Sequence, residues 1–249
     1  MIRLIISARQ KPDVPMDRFI RYSSSIESVF GFVEHCPLYG GRRFLKPELT
    51  QSDIEWLYER DIGFKIPLST LNSGQILKDD YVKSVKFLEK YHRTGNSVTV
   101  ANDDLARLIR KDFPLYTIDA SAIKNIKRHD DIDMALELYD KVVLRSAAND
   151  DIEFLSGITQ KNKIILFESI GRLHGCNSKL CFIDHSKYNS NWTNDMANLT
   201  ELPMPASRCA RPGGFNSGPD FQRFDIDMLY KLGFSTFKVM RQHDKKWAY

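Results

Sequence analysis

The sequence lacks most of the features that assign a chain to a class at once. Cysteine is scarce, four in 249 residues, too few for the disulfide framework of a small secreted domain. No uninterrupted apolar run approaches the roughly 18 residues of a membrane-spanning helix, and runs such as 164–167 have the length of buried strands. The opening residues offer only a brief apolar stretch before Arg9 and Lys11, without the apolar segment of a secretory signal. An intracellular, cytoplasmic protein is therefore expected, with its cysteines as thiols or metal ligands. No glycine-rich phosphate loop follows any apolar run, which argues against nucleotide binding. No H-E-x-x-H, no G-x-S-x-G and no C-x-x-x-C-x-x-C is found, so zinc peptidase, serine hydrolase and radical S-adenosylmethionine chemistry have no support.

What is present is an ordinary globular composition, 42% hydrophobic and 27% charged, with a net charge of +4 that permits a polyanionic partner without requiring one. Short apolar or β-branched runs at 2–6, 29–33, 64–68, 98–100, 114–119, 142–144, 164–167 and 234–240 read as strands. Helical spacing falls between them, at 16–26, 51–60, 81–91, around 105–109, at 131–139, 152–158 and 221–232. Pro15 and Asp17 suit a first helical turn, Thr50 or Ser52 can cap the helix at 51, and Gly63 and Gly233 close helices. Residues 169–220 hold glycine, proline, asparagine and serine with little periodicity, and are expected as a loop-rich insertion. Eight alternations in a chain of this size predict a single α/β domain spanning 1–249, a closed (β/α)8 barrel of the TIM type with a long insertion after strand seven.

Chemistry in such a barrel is done at the carboxyl ends of the strands. The residues expected there are polar. Cys36 follows strand two, and Cys176, Cys181 and Cys209 fall in the insertion, so all four are expected in loops on one face. Four thiolates meeting there would hold a 4Fe-4S cluster or a tetrahedral zinc, and unrelated loop thiols are the plain alternative. Glu168 and His174 are candidates for general acid and base, with Arg145 beside them. Arg172 and Arg241, together with Arg145, suit an anionic group through bidentate contacts. Asn72 and Asn102 are candidate substrate contacts, like Asp119, although these two and Asn125 also suit helix caps. Lys245, Lys246 and Trp247 in the tail offer weak support for RNA binding.

The stretch Cys36-Pro37-Leu38-Tyr39-Gly40-Gly41-Arg42-Arg43-Phe44, with Leu49-Thr50 opening a helix, resembles the Tyr-Leu-Gly-Gly segment of the collagenase-like peptidase family. Lys65-Ile66-Pro67-Leu68-Ser69-Thr70-Leu71-Asn72 is similar to that family's strand-three segment, and looser matches run through Val100 to Asp103, Asp119 to Asn125 and Val143 to Ile152. The resemblance implies a 4Fe-4S cluster on one early cysteine, Cys36, and three late ones, as in the short members that hydroxylate without molecular oxygen in ubiquinone synthesis. The spacing of Cys176, Cys181 and Cys209 departs from those members. The implied substrate is a small aromatic or anionic molecule. RNA base hydroxylation, and a non-catalytic cluster- or zinc-binding subunit that pairs with a homologous barrel, are the alternatives. Peptidase activity finds no motif in this chain.

Overall fold

The computed structural model describes residues 1–8, 16, 20, 24–171, 179–192 and 221–240. Among the described residues nine strands form one sheet: β1 (Arg3–Ser7), β2 (Ile26–Phe30), β3 (Gly63–Ile66), β4 (Ser97–Val100), β5 (Thr117–Ala120), β6 (Lys141–Val143), β7 (Ile164–Gly171), β8 (Phe221–Arg223) and β9 (Thr236–Val239). β1 to β7 pair in parallel in chain order, and β9 pairs in parallel with both β7 and β1, which closes the ring into an eight-stranded barrel. The expected fold class is therefore the observed one.

Helices α1 (Gln51–Tyr58), α2 (Gly74–Lys90), α3 (Asp103–Asp112), α4 (His129–Leu136) and α5 (Ile152–Gly157) lie between consecutive strands. α1 begins at a capping box in which Thr50 and Asp53 satisfy one another's backbone N–H. α2 starts seven residues before the expected position, because its first two turns carry Gln75, Lys78 and Asp79, which hide the apolar stripe. That stripe itself contains two polar residues, Asp80 and Ser84, both buried.

Two expectations after β7 are corrected. The aperiodic insertion contains α6 (Leu180–Ser190), whose buried residues are Asp184, Ser186 and Asn189 with Tyr188 as the one aromatic among them, so apolar periodicity could not mark it. The helix expected over 221–232 is instead β8, antiparallel to the end of β7, followed by the short α7 (Ile226–Lys231). Asp225 caps α7 by accepting from Asp227 and Met228, which fixes the helix start well after 221. Strand two also begins at Ile26 rather than at 29, and a bulge against β1 leaves Glu27 as an extra residue.

Alternation along the strands divides the interior in two. Phe64, Ile66, Val98, Val100, Ile118 and Phe237 belong to the larger core between barrel and helices. A smaller cluster, including Ile5, Phe30, Val143, Ile165 and Phe167, fills the lumen. The residues alternating with the first group, Lys65, Ser97, Thr99, Asp119, Thr236 and Lys238, therefore face inward as well. Lys65 and Asp119 stand on the side of the lumen away from the apolar cluster, and Lys238 stands between the strands that carry it, where barrels of this type ordinarily use bulky aliphatic residues.

Candidate functional site at the carboxyl-end mouth

Lys65 on β3 and Asp119 on β5 form an ion pair inside the barrel, their side chains 2% and 0% exposed. Burial raises the Asp119 carboxyl above its ordinary range, against the pull of Lys65. At the amino end Glu27 binds Lys141 at 2.8 Å and lies 3.5 Å from Arg3. Burial pushes the Glu27 carboxyl up, and Lys65, Lys141 and Arg3 together outweigh it, so the carboxyl lies below its ordinary value.

Lys238, next to last on β9, is partly accessible to solvent. Its ammonium stands 4.2 Å from the centre of the Phe30 ring and 5.9 Å from that of Phe167. Desolvation, followed by repulsion from Lys65, pushes this amine down to about 7. Arg42 adds further repulsion while Asp119 opposes the shift. Among the described residues no carboxylate forms an ion pair with Lys238.

The loop after β2 builds the adjoining rim. Arg42 pairs with the buried carboxylate of Glu48 through both guanidinium nitrogens and lies 4.1 Å from the Phe32 ring centre. Glu48 also accepts from the Phe32 backbone N–H at 3.0 Å. Gly40 packs against the segment after β3 so closely that a Cβ there would sit 2.0 Å from the Ser69 carbonyl oxygen. The Tyr39-Gly40-Gly41 segment thus locks two loops together.

Helix α6 straps the same rim. The Asn189 side chain donates to the carbonyls of Tyr39 (2.9 Å) and Arg42 (3.0 Å) and accepts from the Phe44 N–H (2.8 Å). His35 meets the Asn189 carbonyl at 2.7 Å and stacks on Trp192. Leu71 donates to Ser186, and Ser190 to Asp80.

The expected site residues are distributed as follows. Asn102 caps α3, accepting from Asp104 and Leu105, and donates to the Asn72 carbonyl, while Asn72 donates to Asp80. Asn125 caps the end of a short helical turn and not the start of a helix: it closes Ala122–Lys124 in the left-handed region, φ +60°, its backbone N–H donating to the Ala122 carbonyl. Asp119 faces the lumen instead of following its strand. Arg145 donates from Nε to the Ala122 carbonyl at 3.3 Å. Glu168 lies on β7 with Arg223 of β8 at 3.9 Å. Arg172, His174, Cys176, Cys209, Arg241 and the tail residues Lys245, Lys246 and Trp247 lie outside the described residues.

Of the four donors that a cluster requires, Cys36 and Cys181 are described. Cys181 belongs to α6 and not to a loop, which corrects that expectation. Cys36 is fully buried in the larger core, and its thiol donates to Ser84 of α2 at 3.4 Å. Burial pushes that thiol up to about 12, and the hydrogen bond with Ser84 opposes the shift. In this arrangement Cys36 does not present a donor to the mouth. Among the described residues no group of three or more histidine, cysteine or acidic side chains is placed to hold a metal ion.

Lys238, Lys65, Arg42, Glu48 and Asn189 do not stand out as site residues in the sequence. The signal for the first two was a single charge inside an apolar strand, as in Phe64-Lys65-Ile66 and Phe237-Lys238-Val239. Among the described residues no helix is long and apolar enough to cross a membrane. No family model matches the chain, and no curated protein matches it. One solved structure, described as that of the U32 peptidase Mk0906, superposes with a TM-score of 0.64 over 98% of this chain and 94% of that one, at 12% identity. At that identity the likeness is one of fold.

Proposed function

We propose that the chain binds and chemically modifies a small anionic molecule at the carboxyl-end mouth of the barrel. The observation that carries this reading is the charge balance there: Lys65, Arg42 and Lys238 against Asp119 and Glu48. Two of the cations are neutralised by partners, and Lys238 is the excess. A monoanion set against Phe30 and Phe167 would supply the missing charge while its apolar part met the rings. Calorimetric titration with acetate, pyruvate, oxalate, benzoate and phosphate tests the proposal, with benzamide as the uncharged control. At least one anion binds wild type and fails to bind Lys238→Met. Equal behaviour of all six compounds, or unchanged binding in the variant, overturns it.

A cysteine-held 4Fe-4S cluster acting in oxygen-independent hydroxylation is a second reading, favoured by one observation: Asn189 ties α6, which carries Cys181, to the loop that carries Cys36. It requires Cys36 to leave Ser84 and lose its proton. Metal and sulfide analysis after anaerobic reconstitution tests it, with about four irons per chain expected and their loss in Cys36→Ala. One zinc per chain without iron points to a structural metal instead.

A further inference from the structure

We infer, building on the anion-binding reading above, that Lys238 is a nucleophilic amine that condenses with the carbonyl group of a small 2-oxo acid. Position is the first ground: Lys238 is the penultimate residue of the last barrel strand, the end at which barrels of this kind place their reactive groups. Surroundings are the second. A lysine becomes a nucleophile when an apolar wall or a neighbouring cation disfavours its ammonium form. Lys238 lies on the inward face of β9 with Phe30 and Phe167 packed against its amine, is desolvated there and is repelled by Lys65, while the carboxylate of Asp119 is committed to Lys65. The depressed basicity of the amine agrees with that geometry.

The lumen supplies a third, independent ground. Ser28 Oγ, Thr236 Oγ1 and Asp119 Oδ1 are all buried and none has a hydrogen-bond partner. Thr236 shares the inward face of β9 with Lys238, two residues away. Buried polar atoms of this kind take their partners from water or from a ligand. The 2-oxo acid class follows from the two requirements together: a carbonyl carbon for the neutral amine, and a carboxylate to balance the positive charge that the imine nitrogen carries once it is protonated.

The step balances without a redox partner. The nitrogen lone pair attacks the carbonyl carbon and a C–N bond forms. The C–O bond of the resulting carbinolamine then breaks, its oxygen leaves as water with two protons, and an imine results.

Trapping tests this directly. The whole chain at pH 7 is incubated with pyruvate and sodium cyanoborohydride, which delivers hydride to the imine carbon, and modified lysines are located by peptide mapping against the urea-unfolded chain. The expected result is alkylation concentrated at Lys238 in the folded protein and spread over all lysines in the unfolded one. A parallel thermal melt with pyruvate alone separates the two levels of the reading. Stabilisation by pyruvate with Lys238 unmodified overturns the imine and leaves the anion site standing. No stabilisation and no adduct overturns both. Wild type alone decides these outcomes. Where Lys238→Arg folds, it should lose the adduct and keep the stabilisation by pyruvate.

Discussion

Lys65 on β3 and Asp119 on β5 reach across the inward face of β4 to form an ion pair sealed inside the barrel. Removing one partner leaves an uncompensated charge in a desolvated site. Lys65→Met and Asp119→Asn are each expected to destabilise the fold by about 3–5 kcal/mol, while Lys65→Met combined with Asp119→Leu recovers most of that loss. Urea denaturation of the three variants checks the non-additivity.

Lys238 makes stability depend on pH with a definite sign. Its folded value near 7 lies below the roughly 10.4 of an unfolded lysine, so between those limits the unfolded state holds the extra proton. Stability should therefore rise with pH from about 7 toward 10, with at most about 1.4 kcal/mol per pH unit from this group. The penalty of burying the charged form is fully present below pH 7. Urea midpoints across that range should show a shallower rise in Lys238→Met than in wild type.

Asn189 holds three backbone groups of the rim with one side chain. Asn189→Ala should lower stability by about 2–3 kcal/mol, because buried backbone groups lose their partners. Hydrogen exchange should speed up in residues 39–44 and 180–192 and stay unchanged in β4 and β5.

Gly40 has no room for a side chain against the Ser69 carbonyl. Gly40→Ala should destabilise by about 3 kcal/mol or more, measured by thermal melting. Cys36, buried and protonated, should resist a thiol reagent in the native protein at pH 8 and react once urea opens the core.

The eight-strand ring was legible in the sequence because each barrel strand is a short apolar run set off from its neighbours by helical spacing, and parallel strands buried on both faces read that way. The lumen was harder to read. Lys65, Asp119 and Lys238 are single charges inside those runs, and a polar position on a strand ordinarily means a solvent-facing one; only ring closure turns it inward. Helix α6 was missed because its buried face makes polar contacts to loops and not to an apolar layer. The surroundings of Cys36 were equally hard to read. Cys36 sits in a connecting segment, as expected, yet that segment folds into the core, and the thiol packs among apolar residues.

Titration of the Lys238 amine by NMR, in protein carrying isotope-labelled lysine and assigned by comparison with Lys238→Arg, reads the central claim most directly. The account predicts a midpoint near 7 in the free protein that moves upward on adding a bound anion from the panel. A midpoint near the ordinary lysine value of about 10.4, unmoved by every anion tested, would contradict it.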